Sequence, residues 1–182
     1  MTRNATIYII ALLLVSFGCK DKLNPNKEET SEVSVDKNTI TPKDIESFRY
    51  DDYALSNDSE KALENWQKYQ ELNEQIEFIK SADFSFFMGE KKVLKAFLND
   101  FKVEMPESIK TTPIMSRITV LETMALKLNS TLKLDIVDKP TQLKAIKELL
   151  VAFSNLNLQI NKKFELDANL VDKNDADTPI LN

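Results

Sequence analysis

The chain has no histidine, one cysteine and two glycines among its 182 residues, and these shortages remove most enzymatic chemistries at the outset. Histidine is the commonest general base and metal-binding side chain near neutral pH, so both roles would fall to other groups. A lone cysteine, Cys19, cannot close an intrachain disulfide or build a thiolate zinc site. Gly18 and Gly89 stand too far apart for a glycine-rich phosphate cradle. Positive charge is outnumbered by negative. Against 29 Asp plus Glu there are 24 Lys plus Arg, net −5, with no basic block, which argues against nucleic acid as a partner. No internal repeat of the roughly 20–50-residue period of a solenoid is present.

Carboxylates are what remains for catalysis, since a glycosidase needs only two acids at a set separation. Asp51-Asp52 and the glutamates of the helical segments read as solvated charges, the usual state of acids. Scattered serines and 21 lysines leave a Ser–Lys arrangement open without pointing to one. The tail residues Asp172, Asn174, Asp175 and Asp177 invite a calcium reading. It fails because Ala176 takes the third ligand position and neither a glycine nor a closing Glu follows. The chain therefore reads as non-enzymatic, without a metal or other cofactor.

What is present begins with an apolar run, Ile7 to Val15, preceded by Arg3 and followed by Ser16, Phe17, Gly18, Cys19 and the charged Lys20-Asp21-Lys22. The run is far shorter than the about 20 residues needed to cross a bilayer and has the form of a signal-peptide core. Gly18-Cys19 at its end resembles the lipobox of bacterial lipoproteins, in which a small residue precedes a cysteine that is lipidated and becomes the mature N-terminus. The resemblance implies a lipid on Cys19 and removal of residues 1–18. A single acyl chain holds only reversibly, so the two or three chains of such proteins imply lasting attachment. Lys20, standing where Asp would favour the inner membrane, implies the outer membrane. Loss of Arg3 makes the mature chain one charge more acidic. Residues 19–40, polar and poor in large apolar side chains, read as a disordered tether with a reach of about 25 Å.

Residues 41–166 carry helical patterning. Thr41-Pro42 and Thr112-Pro113 each look like a cap followed by proline at the first helical position. Asn57 with Glu60 resembles a capping box opening a segment with Leu63, Trp66, Tyr69, Leu72, Ile76 and Ile79 on one face. Glu90 to Lys102 forms a shorter amphipathic segment. Ile114, Ile118, Leu121, Ala125, Leu128 and Leu132 keep a heptad rhythm. Asp138 and Pro140 open the last segment, with Leu143, Ile146, Leu150, Phe153, Ile160 and Phe164 on its face. Leu132, Leu134 and Ile136 also alternate at period two, which leaves a short strand open. The expected fold is all-α, a four-helix-type antiparallel bundle, with residues 167–182 as an acidic flexible tail.

Three features qualify as partner or ligand surface. Phe84, Phe86, Phe87 and Met88 crowd one connection, either as a binding patch or, more commonly, as cover for the core. Arg117, one of two arginines outside the signal segment, is suited to a bidentate contact with an anion or carboxylate; an ion pair with a neighbouring helix is the plainer alternative. Asn73 and Asn157 interrupt apolar faces, where they can fix register, mark a polar spot in a cavity, or sit at an exposed rim. The leading expectation is a membrane-tethered, non-enzymatic helical module that binds another envelope protein. The alternative is a small-ligand binder with its pocket inside the bundle.

Overall fold

A computed structural model describes the backbone of residues 38–176 and the side chains of residues 38–170. The expected signal peptide, Cys19, the tether as far as residue 37 and the tail from residue 177 lie outside the described residues. Every regular element among the described residues is helical. In order they are α1 (Pro42–Glu46), α2 (Asn57–Leu63), α3 (Gln67–Lys80), α4 (Ser85–Met88), α5 (Lys91–Val103), a 3-10 turn (Glu107–Ile109), α6 (Thr112–Leu132) and α7 (Lys139–Ala176).

The local chemistry of the helix ends explains these boundaries. Thr41 caps α1 with Pro42 behind it, and the Asp44 carboxylate accepts from the Thr41 amide at 2.8 Å and its Oγ1 at 2.7 Å. The cap of α2 is Ser56 rather than Asn57, its Oγ accepting the Ser59 amide at 3.3 Å. Thr111, one residue earlier than expected, caps α6 and puts Pro113 in the first turn, where its missing N–H has no partner to lose. At the start of α7 the Asp138 carboxylate accepts from the Thr141 amide at 3.1 Å. α3 closes through Ala82 in the left-handed region (φ 62°), with the Asp83 amide donating back to Phe78 O at 2.9 Å. Glycine is the usual residue there, and alanine carries strain of roughly 1–2 kcal/mol.

The four long helices pack antiparallel in turn. Trp66 at the head of α3 meets Phe101 near the end of α5. Lys91 and Lys102 of α5 reach Ser130 and Glu122 of α6 in reversed order. Lys127 of α6 pairs with Glu148 of α7, and Tyr69 of α3 bonds Asn157 of α7, which closes the ring. Between them lie Leu72, Ile76 and Ile79, then Leu94, Leu98 and Phe101, the α6 series Ile114, Ile118, Leu121, Ala125 and Leu128, and Ile146, Leu149, Leu150, Phe153, Leu156 and Ile160, all buried. Each such large apolar side chain contributes about 1.5–3 kcal/mol. The fold is the expected all-α bundle.

Four details depart from the sequence reading. The segment opening at Asn57 is two helices, broken at residues 64–66. At the break Trp66 is fully buried and its Nε1–H donates to Phe101 O at 3.0 Å, so α2 packs on α7 while α3 packs on α5. The alternation at Leu132, Leu134 and Ile136 is no strand: Leu132 ends α6, and Leu134 and Ile136 lie in the connection that follows, with Ile136 92% exposed. Helix α7 continues through the expected boundary at 166 to Ala176, although Leu166 and Leu170 are exposed. Before residue 41, Thr39 O accepts from Lys139 Nζ at 2.9 Å and Ile40 packs on the core; the bundle thus grips the chain inside the expected tether. No described helix is long and apolar enough to cross a membrane.

Candidate functional site

Between α1 and α2 the chain crosses the bundle as a strap, residues 51–56, without regular secondary structure. Its backbone groups need partners, and side chains of α7 supply them. Ser154 Oγ accepts from Tyr53 N at 2.8 Å and donates to Asp51 O at 2.5 Å. Asn157 Nδ2 donates to Tyr53 O at 3.0 Å. Asn161 Nδ2 donates to Ala54 O and its Oδ1 accepts from Ser56 N, both at 2.8 Å. The spacing of three and then four keeps Ser154, Asn157 and Asn161 on one helix face. This ladder binds the strap as an edge strand would, through its backbone.

A cleft of about 560 Å³ opens between the strap, α2, α3 and α7. Tyr69 and Phe153 lie at its base, nearly buried and stacked with centroids 5.7 Å apart. The Tyr69 hydroxyl donates to Asn157 Oδ1 at 2.8 Å. Burial first, and the Glu60 charge second, push its pKa above the ordinary phenol value against the opposing effect of that hydrogen bond, so it stays a neutral donor. Four carboxylates (Asp52, Glu60, Glu64, Glu77) and one ammonium, Lys80, line the walls. Lys80 is held by Asp52 at 2.9 Å and Glu77 at 2.8 Å. Burial lowers its pKa, but those two hydrogen bonds outweigh burial and push it up to about 12, a fixed positive charge. Asn73, half-buried in the same wall, makes no side-chain hydrogen bond among the described residues, and the same holds for Glu60. Among the described residues no group of three or more acids is arranged to hold a metal ion.

Both asparagines singled out by the apolar pattern therefore reach one cleft. Asn157 is buried and fully engaged, while Asn73 is open to the cavity. The aromatic connection has a different fate. Residues 85–88 form α4 rather than a loop, and Phe87 is fully buried, so it cannot present a surface to a partner. Phe84 and Phe86 are half-buried against the core, with Phe86 edge-on to Phe87 and Phe97. Only Met88 projects, 51% exposed. Beneath α4 the buried Asn129 donates to Phe87 O at 2.6 Å and Gly89 O at 2.9 Å, which pins this turn to α6. Arg117 is exposed and has no ion-pair partner among the described residues. The plainer reading of it as an intrachain pair is thus not met.

Sequence reasoning missed Ser154, Asn161 and Asn129. A signal existed for the first two: with Asn157 they form a polar run at helical spacing on a face whose other members are apolar. Cys19 lies outside the described residues. Comparison with protein-family models, with curated proteins and with solved structures returns no match to this chain. The class defined by fold and site is a four-helix bundle with a strapped polar cleft.

Proposed function

We propose that this chain is an exported lipoprotein, anchored through Cys19 to the cell envelope with the outer membrane as its favoured site, and that its helical domain is a non-enzymatic binding module. Of the two expectations formed on the sequence, the small-ligand reading is favoured over the aromatic-patch protein partner. The observation that carries it is the convergence of Asn73 and Asn157 on one cleft with a base of Tyr69 and Phe153. A volume near 560 Å³ lies within the range of small-molecule sites. Four carboxylates against one ammonium select a compact organic cation bearing N–H donors, which Asn73 and Glu60, without side-chain hydrogen bonds among the described residues, are free to accept. An aromatic base adds favourable cation contacts. Asn157 and Lys80 of the lining hold the strap, at Tyr53 O and Asp52, which makes the site a preformed receptacle.

The test is calorimetric titration of the full chain with a linear polyamine, an amino sugar and arginine amide, each beside its neutral analogue. At least one cation is expected to bind, with affinity cut tenfold or more by Asn73→Leu and several-fold by Glu60→Gln. Absence of binding by all three cations, or equal binding of the neutral analogues, sinks the ligand reading. For the anchor, Cys19→Ser is expected to abolish labelling by radioactive palmitate and release the chain from membranes; unchanged fractionation would remove that part.

A further inference from the structure

Helix α7 has a second side, facing away from the cleft. There an apolar groove of about 400 Å³ runs between α6 and α7, lined by Val120 and Met124 of α6 and by Val151 and Ala152 of α7. Val120 is 44% exposed although it sits in the middle of the longest antiparallel contact of the bundle. Lys144 and Lys147 flank the groove, and neither has an ion-pair partner among the described residues. Glu148, the groove's acid, is neutralised by Lys127. On α6 the same helical stripe continues from Val120 one turn back to Arg117, also exposed and unpaired. Three cations without an ion pair among the described residues, Arg117, Lys144 and Lys147, thus border the exposed apolar groove.

We propose that this groove docks an amphipathic helix of a partner protein, with apolar residues at three-and-four spacing on the face that enters and acidic residues on both flanks. The charge of the rim selects the acidic flanks, and a furrow between two antiparallel helices accepts a third helix by ridge-into-groove packing. From Arg117 to Lys127 the stripe is about 15 Å long, matching about ten residues of an incoming helix. Arg117 lies at one end, where its planar fork suits a carboxylate in bidentate contact. The inference is independent of the ligand cleft, which opens on the other side of α7.

The probe is a fluorescein-labelled, helix-stabilised 14-residue peptide with Leu on one face and Glu on both flanks, titrated by anisotropy against the full chain in non-ionic detergent. A control peptide carries Lys in place of Glu. The Glu peptide is expected to bind at least tenfold tighter than the Lys peptide. Lys144→Glu with Lys147→Glu, and separately Val120→Lys, are each expected to weaken it tenfold or more with the circular dichroism unchanged. Equal binding of the two peptides, no binding at millimolar peptide, or indifference to all three substitutions overturns the proposal. Lys144- and Lys147-dependent binding to phosphatidylglycerol vesicles by a chain that ignores the Glu peptide also overturns it, and assigns the groove to anionic lipid.

Discussion

The two sides of α7 carry similar numbers of polar side chains and use them in opposite ways. On the strap side Ser154, Asn157 and Asn161 are each bonded to backbone atoms of residues 51–56, and Asn157 also accepts from the Tyr69 hydroxyl. On the groove side Lys144 and Lys147 have no partner within the described chain, and Asn155 lines the groove without a hydrogen bond. The first set is structural glue with a cleft built over it, and the second is surface held ready for something outside the molecule. A polar residue on a helix therefore declares its role only through what lies opposite. An unpaired buried donor costs about 1–3 kcal/mol, whereas an unpaired surface lysine costs almost nothing.

The comparison breaks most readily at Asn157. Replacing it with Ala strips a partner from Tyr53 O and from the Tyr69 hydroxyl, and leaves a void beside Phe153. The expected loss is about 2–4 kcal/mol, read from the urea midpoint. The counterpart on the groove side, Asn155→Ala, is expected to stay within about 0.5 kcal/mol of the parent chain. Equal losses at both positions would show that the two sides do not differ as described.

That contrast also explains what was legible in the sequence. Apolar rhythm was enough for α5, α6 and α7, because their faces repeat at three and four residues and each must be covered. Caps were readable to within one residue, since the side chains that fix them, Asp44, Ser56 and Asp138, act on amides only three positions away. The break at Trp66 was not readable, because its cause is a carbonyl on Phe101, 35 positions along the chain. Asn157 stood out as a polar intrusion, but its partner is the backbone of a strap with no pattern of its own. The cleft was invisible for the same reason: Asp52, Glu60, Asn73 and Phe153 belong to four segments that only the tertiary fold brings together. Phe84 to Met88 read by composition as either a binding patch or, more commonly, cover for the core; Phe87 is core, Phe84 and Phe86 pack partly against it, and Met88 is exposed.

A smaller effect sharpens the strap side itself. Asn161 lies near the exposed end of the ladder, where water can replace what is lost. Asn161→Ala is expected to cost only about 1 kcal/mol, but locally. Amide exchange at Ser56 should accelerate tenfold or more, while amides in the middle of α6 change only in proportion to global stability. Uniform acceleration would mean that the strap opens only with the whole bundle, and that the cleft has no separable wall.

The smallest effect is at the other end of the same arm, where charge replaces amides. Asp44 bonds Lys139 at 2.9 Å and Thr41 twice. The Lys139 hydrogen bond first, and those from Thr41 next, lower its pKa from 3.8 to about 2. Because the folded value lies below the unfolded one, the stabilisation is fully present above the ordinary carboxylate range and is lost as pH falls through about 2. The Thr41 amide reports the step directly, since it donates to the carboxylate that titrates. Its chemical shift should move with a midpoint near 2, and Asp44→Asn should remove that step while leaving the Ser56 amide, held by Asn161, unmoved. A midpoint at the ordinary carboxylate value would mean that Asp44 is not held in solution, and that the ladder on α7 alone fastens the arm.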